Sequence, residues 1–495
     1  MKNKLLLVSA ILVILAGAAN AQIKNLYNFQ FNESPYGSLT QSGSIFYGMT
    51  YSGGYNGRGY IFSINKNGTG FTDIWDFQDT GSYVGNSNGS NPYGTLILNG
   101  HKLYGMTYDG GAAYSGNVFS INTDGSGYKD LWDFDDTANY IGNSNGKYPY
   151  GSLLLVRNKL YGIASGGYGN EGIVFSIDTN GGAFKDLLDF SQTINSDNIG
   201  YGGLVLSGGK LFGTSWGRSC IACRDLNYGY GNVFSIDTDG THYKDVYVFA
   251  GPNGANPDNS LTVSQDGKRL YGTTYDGGPS NTYRYGIVYG VDTNGTNFKT
   301  IHAFDNTDGA YSENSLTLSG STLYGMTNGG GAYLPYNSYG YGTIFSVDTN
   351  GTSFNTIYNF NVSNGYEPTG GLNVIGDSLY GMTPDGGFEN AGEIFACAIV
   401  SPASVLSIAH ADGQLTVYPN PNNGQFTISI KNSQPGSTAQ VEVYNVMGEK
   451  VYTQSNIENP TINVDLSNQA NGVYMYRVLT NNNAIIGEGK LVIQK

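Results

Sequence analysis

Seven acidic side chains stand where this chain could gather a catalytic pair of carboxylates. Asp109, Asp276 and Asp385 recur in Asp-Gly-Gly segments, while Asp135, Asp136, Asp308 and Glu313 fall in connections between repeats. Two carboxylates at a defined separation can cleave a glycosidic bond, one as acid and the other as base or nucleophile. Spacing along the chain does not supply that separation, and a repeated Asp-Gly-Gly is more simply a turn. The four histidines lie in an expected turn (His101), a second turn (His242), a strand (His302) and a linker (His410), and compose no Ser-His-Asp set.

Other chemistries are poorly supplied. Cys220 and Cys223 form a CIAC pair and Cys397 stands alone, which leaves a zinc site two ligands short. A local Cys220–Cys223 disulfide, or two free thiols, is the simpler reading, with a metal or redox site as the alternative. Six short segments such as NTDGSG and DTNGTN place oxygen ligands before a glycine, as a calcium loop does, but lack its closing bidentate acid. They read as hairpin turns, in which Asn, Asp and Gly supply the positive φ angles. No glycine-rich segment has the strand-to-helix setting of a phosphate loop, so neither a metal nor a cofactor is expected.

The elements that must position any site are repeats. LYGMTYDGG from Leu103 returns in variants from Phe46, Leu160, Leu211, Leu270, Leu323 and Leu379. The aromatic residue of the motif falls at Tyr47, Tyr104, Tyr161, Phe212, Tyr271, Tyr324 and Tyr380, spaced by 57, 57, 51, 59, 53 and 56 residues. Such a period belongs to propellers, solenoids or arrays. In the second copy, YGTLILN from Tyr93, HKLYGMT from His101, NVFSIN from Asn117 and YKDLWDF from Tyr128 read as four strands, A to D, bounded by Gly, Asn and Asp turns. Strand C is apolar on both faces, as stacked sheets require. Strand D interleaves charge with aromatics, as an edge strand should.

The ends imply closure. The seventh C strand, GEIFACAI, has no D strand after it, whereas IKNLYNF at Ile23 to Phe29 is a D strand with no repeat before it. The expected fold is all-β: a seven-bladed propeller over residues 22–400, with the N-terminal strand completing the last blade.

These motifs resemble the GloVer-type tandem repeat of secreted bacterial proteins, over roughly Ile23 to Ile399. The fourth copy departs most, with Phe212 and a WGRSCIACRD insertion. The resemblance implies a repeat fold and no particular activity.

Residues 1–21 read as a signal peptide: Lys2 and Lys4, an apolar run, then Ala19-Asn20-Ala21. A retained anchor is the alternative, and no later stretch is apolar enough to span a membrane. Residues 401–414 have linker character. From Leu415, about seven short strands suit a small immunoglobulin-like β-sandwich. YPNPNNGQF, VYNVMGEKV, ANGVYMYRV and KLVIQK are similar, in order, to the type A C-terminal sorting domain of the type IX secretion system. That resemblance implies a Bacteroidetes-type bacterium, the type IX machinery as partner, and a secreted or outer-membrane-attached product. An ordinary carbohydrate-binding sandwich is the alternative for residues 415–495.

Charge excludes one partner class. The whole chain has 24 basic against 38 acidic residues, the opposite of a nucleic-acid footprint. The A–B and C–D turns are short, while the B–C and D–A connections on the opposite side are long and varied, which marks that side for recognition. Its aromatics include Tyr83, Tyr140, Trp216, Tyr228, Tyr333, Tyr336 and Tyr339. They suggest a non-catalytic module that binds a glycan or a surface protein. A polysaccharide hydrolase or lyase using loop carboxylates, and a structural surface protein without ligand, are the alternatives.

Overall fold

The computed structural model describes residues 23–78, 86–135, 145–166, 171–192, 198–199, 202–217, 229–279, 285–333, 339–399, 415–420, 422–430, 439–445, 449–457, 459, 461–480 and 485–494. The chain divides into two compact units, Met1–Val400 and Ser401–Lys495.

In the second repeat, strands Ile97–Asn99, Lys102–Thr107, Asn117–Asn122 and Lys129–Asp133 form one antiparallel sheet in chain order. Strand A is shorter than the alternation predicts. Its first residues leave the ladder to meet the next sheet, where Thr95 N donates to Ser152 Oγ at 2.9 Å. The motif glycine has a packing role. Gly105 faces Phe119 across the ladder, and a Cβ there would fall 2.5 Å from Phe119 Cζ. The ring fills the space that glycine leaves, and the same pairing recurs in all seven sheets, from Gly48 with Phe62 to Gly381 with Phe395.

The turn between strands C and D differs in detail from its expected form. The positive φ belongs to glycine, as at Gly125 (+83°), not to the Asn or Asp before it. Asp124 acts through its side chain, its Oδ1 accepting from Ser126 N at 2.9 Å and Ser126 Oγ at 2.6 Å. The local Asx hydrogen bond, rather than left-handed backbone, selects the acid there.

Among the described residues, the first unit holds seven such sheets, one with a short fifth strand, and a two-stranded ribbon. Strand C is buried throughout most of its length, as in Asn117–Ile121. Each D strand ends in a phenylalanine that packs on the strand C aromatic of the following sheet. Centroids are 5.3 Å apart for Phe77–Phe119 and Phe134–Phe175, 5.2 Å for Phe190–Phe234, 5.1 Å for Phe249–Tyr289, 5.3 Å for Phe304–Phe345 and 5.5 Å for Phe360–Phe395. The seventh contact, Phe29–Phe62 at 5.6 Å, joins the last sheet to the first.

Phe29 can do this because Ile23–Asn28 pairs with Glu393–Ala398, with Ile23 opposite Cys397 and Asn28 opposite Glu393. The N-terminal strand even carries the D-strand irregularity. Its register shifts around Leu26 as Lys129–Asp133 does around Leu131, and both bulged leucines are buried. Polar bonds make the same circuit: Gly371 N donates to Ser38 Oγ and Ser38 N to Thr95 Oγ1.

The second unit has one sheet of Leu415–Tyr418, Gln425–Ile430 and Thr461–Asp465, and another of Lys450–Ile457, Ala439–Tyr444, Gly472–Thr480 and Ile485–Ile493. Both contribute to one core that includes Phe426, Ile428, Val441, Val443, Val464, Val478 and Leu491. On the opposite face of the strand that carries Val441 and Val443, Glu442 is covered by its partners, Tyr444 Oη at 2.7 Å, Lys450 Nζ at 3.0 Å and Arg477 Nε at 2.5 Å. Those hydrogen bonds, Tyr444 first, hold its carboxyl down at about 2.

Candidate functional site

The segments that enter strand A read PYGSL, PYGTL, PYGSL, GYGGL, PDNSL, SENSL and PTGGL, from Pro35, Pro92, Pro149, Gly200, Pro257, Ser312 and Pro368. Small third and fourth residues let these segments approach one another: Gly203 N donates to Ser260 Oγ at 2.6 Å. The second position therefore faces a shared space. Among the described residues it holds Tyr93, Tyr150, Asp258, Glu313 and Thr369, which line that space, and Tyr36, which stacks on Tyr93.

That space is a cavity of about 320 Å³, to which every one of the seven sheets contributes. Tyr93, Tyr150, Trp216, Asp258, Asn259 and Glu313 line it, with the small residues between them. Its composition divides into two sides. On one, Tyr93 stacks on Tyr36 at 4.5 Å and meets Tyr150 edge-on at 5.4 Å, and Tyr150 lies 4.6 Å from Tyr108. On the other stand Asp258, 7% exposed, and Glu313, open to solvent.

The two sides sense each other. Burial pushes the Tyr36 hydroxyl up to about 12, helped by the charges of Asp385 and Glu367. Tyr93 is raised by burial, then by Tyr36, Glu313 and Asp258. Glu313 and Glu367 are each raised by the surrounding protein first and by a neighbouring carboxylate second, Glu367 for the former and Asp385 for the latter. Desolvation and like charge both favour the neutral acid.

The sequence-selected residues distribute unevenly. Trp216 is half-buried in the cavity wall, 5.9 Å from Tyr275; Tyr275 lies 5.1 Å from Tyr311, and Tyr311 5.6 Å from Tyr339. Trp216 and Tyr339 thus belong to one aromatic row, Tyr339 being exposed. Tyr333 is exposed and its influence falls on Tyr358 of an outer strand, away from the lining. Tyr83, Tyr140, Tyr228, Tyr336, Cys220, Cys223 and Asp136 lie outside the described residues. Cys397 is a buried core thiol, pushed up to about 12 by burial.

The carboxylates separate likewise. Asp308 accepts from or pairs with His302 Nε2 at 2.7 Å, and Asp276 Oδ2 accepts from Asn256 Nδ2 at 3.2 Å. The Asp-Gly-Gly segments are more than turns: Asp109–Gly111 pairs with Asn86–Ser90, and Tyr366 N donates to Asp385 O at 3.0 Å. Backbone bridges of this kind tie the described ends of the long B–C and D–A connections together. Asp73, pushed up to about 6 by burial and then by Asp76, sits on an edge strand whose Asp76 Oδ1 accepts from Tyr55 N. Asp76 holds the Tyr55 loop, Asp73 accepts from Trp75 N on its own strand, and neither lines the cavity.

Sequence reasoning missed Tyr36, Tyr93, Tyr150, Asp258 and Glu367. The signal was available in the entry segments, where tyrosine gives way to acid at one repeat position. A second hollow of about 800 Å³ lies among short turns, lined by Arg157, Lys159, Asp178 and Thr238. Its Lys159–Asp178 ion pair at 2.7 Å is exposed on both sides. It gathers two sheets and no aromatic row, which makes it the weaker candidate. No group of acidic, His or Cys side chains among the described residues could hold a metal ion.

Residues 15–222 and 221–395 match the Gloeobacter/Verrucomicrobia repeat, and residues 416–494 match the secretion system C-terminal sorting domain. The latter supports secretion to the cell surface or the extracellular space. The chain is similar to a puromycin-hydrolysing peptidase of Mycobacterium tuberculosis, with 11% identity over 82% of this chain and 60% of that one, TM-score 0.46. It therefore spans less than two thirds of the peptidase. It is also similar to the β-propeller domain of the Trilobed protease from Pyrococcus furiosus (11% identity, 75% and 99% covered, TM-score 0.43). A third similar structure is the polysaccharide lyase Uly1 (12% identity, 76% and 92% covered, TM-score 0.46). No curated protein matches the chain.

Proposed function

The chain belongs to the Gloeobacter/Verrucomicrobia repeat family, and from that premise we propose an exported, seven-bladed β-propeller that binds glycans without cleaving them. Residues 22–400 form the propeller, residues 1–21 a signal peptide, residues 401–414 a linker, and residues 415–495 an immunoglobulin-like sorting sandwich handled by the type IX machinery. The observation that carries the binding reading is aromatic: Tyr93, Tyr150 and Trp216 line one cavity, the first two packed against Tyr36 and Tyr108 and the third beginning a row through Tyr275 and Tyr311 to Tyr339. Rigid, half-exposed rings offer flat apolar contact to sugar rings at little entropic cost.

One observation favours an enzyme: Glu313, Glu367 and Asp385, all with raised pKa, stand near the Tyr36 phenol. Groups so shifted suit general acid catalysis. The carboxylates in the lining argue against polyuronates as ligands or substrates, because a uronate would meet Asp258 and Glu313.

A panel of neutral, acidic and amino polysaccharides, scored for both retention and product release, separates these readings. Retention without cleavage, lost in Trp216→Ala and Tyr150→Ala at unchanged melting temperature, is expected. Product release abolished by Glu313→Gln or Asp385→Asn would establish the enzyme, and no retention by any polymer would leave a structural surface protein.

A further inference from the structure

One arginine among the short turns has a strained backbone where its counterparts in other repeats are relaxed. Among the described residues, six A–B turns have two residues, and in five the first is a glycine with φ between 56° and 61°: Gly43, Gly100, Gly208, Gly320 and Gly376. The sixth begins with Arg157, whose φ is 57°. A Cβ at any of the five glycines would meet nothing within 4 Å, so the left-handed backbone alone favours glycine there. Arg157 adopts that backbone with a full side chain, and strain of this kind collects at functional sites.

The Arg157 side chain lines the hollow of about 800 Å³ between the third and fourth sheets. Two cations and one carboxylate line it, and the carboxylate is engaged: Asp178 Oδ1 accepts from Lys159 Nζ at 2.7 Å. Arg157 is exposed and makes no hydrogen bond or ion pair among the described residues. One guanidinium is thus in surplus here, in a chain with 24 basic against 38 acidic residues. Its planar fork of N–H donors matches two oxygens of a carboxylate or a sulfate at once. Asn180 and Thr238 bring an amide and a hydroxyl to the same lining, and Leu206, 37% exposed, an apolar ledge. A hollow of this size has room for more than one sugar ring. We infer that it binds the anionic group, carboxylate or sulfate ester, of an acidic polysaccharide, with Arg157 as the anchor. The site is separate from the central cavity, whose Asp258 and Glu313 repel the same ligands.

Calorimetry on the purified full-length protein with three oligomers of equal length, galacturonate, sulfated galactose and galactose, tests this. At least one acidic oligomer is expected to bind about tenfold tighter than galactose, with affinity falling as salt rises. Which acidic oligomer binds tells carboxylate from sulfate. Arg157→Ala and Arg157→Gly should each lose at least about tenfold of that affinity, and Arg157→Lys, which keeps the charge but not the fork, should lose less. Melting separates the first two: Arg157→Gly should melt about 1–2 °C above Arg157→Ala, because only glycine relieves the backbone. The reverse order would overturn the strain that singles this arginine out. Equal binding of galactose would overturn the anionic ligand. Binding of neither acidic oligomer, or acidic binding untouched by Arg157→Ala at intact melting, would overturn the hollow as the site. Inorganic sulfate displacing the oligomer at equal concentration would overturn the polymer and leave a free anion.

Discussion

Phe29 and Phe62, 33 residues apart in sequence, stand with ring centroids 5.6 Å apart and so join the last sheet of the repeat unit to the first. Both rings are fully buried, and the contact repeats the geometry of the six others between successive sheets. Phe29→Ala should therefore cost what a buried aromatic truncation costs, about 3–5 kcal/mol, and loosen the seam selectively. Thermal unfolding and protease cleavage near the N-terminus read this out. Phe31→Ala, at a 74% exposed ring two residues on, is the control expected to change little. Equal melting of the two variants would show that the seam does not hold the unit together.

Gly105 tests the meaning of the motif itself. If its task is to leave room for the Phe119 ring, Gly105→Ala should overpack the sheet and cost about 1–3 kcal/mol. Phe119→Leu in the same chain should recover part of that loss, because the smaller side chain vacates the space. No recovery in the double variant, measured by thermal unfolding, would mean that backbone conformation rather than packing selects the glycine.

Much of this architecture is legible in the chain, and the reasons are local. Strand C is apolar at consecutive positions, strand D alternates aromatics with charge, and the orphan D strand at Ile23 sits at the end opposite the incomplete repeat. The site was less legible. Trp216 was visible as an aromatic in a varied connection, and the structure puts it on the cavity wall. Glu313 was visible as a loop carboxylate, but Asp258 was hidden because the short entry segments look like turn punctuation before strand A. Only the convergence of these segments on one space gives Tyr93, Tyr150, Asp258, Glu313 and Thr369 a common place at the second position.

Export tests the C-terminal unit. Strand Gly472–Thr480 pairs with Ala439–Tyr444 on one side and Ile485–Ile493 on the other, so removing residues 472–495 opens the sheet and destroys the matched sorting region. In a type IX-competent host, that truncation should accumulate in the periplasm, with the surface and medium depleted at least about tenfold by immunoblot. Glu442→Gln should have a milder effect, since it weakens the bonds to Lys450 and Arg477 while keeping the strands. Normal surface levels of the truncation would remove the C-terminal unit from the export step.

Glu393 gives the seam a pH dependence whose sign follows from its surroundings. Its side chain is 1% exposed, Asn25 Nδ2 of the N-terminal strand donates to Oε2, and Oε1 accepts no hydrogen bond among the described residues. Burial, partly offset by the Asn25 bond, pushes its pKa from 4.5 up to about 7. A raised acid binds its proton more tightly in the folded state, so stability falls as pH rises from about 4.5 to about 7 and levels off above. The penalty of holding the carboxylate charged, about 3 kcal/mol by that shift, is then fully present at pH 8 and absent below pH 4.5. Glu393→Gln keeps the size and the acceptor for Asn25 but carries no charge. It should melt higher than the parent at pH 8, converge with it near pH 4.5, and show a flatter slope between. The difference between the two proteins, not either curve alone, is the readout, because Asp73 also rises to about 6 and tilts both curves in the same direction. A variant that melts lower than the parent at pH 8, with an unchanged slope, would mean that the ionised Glu393 stabilises the seam through Asn25 instead.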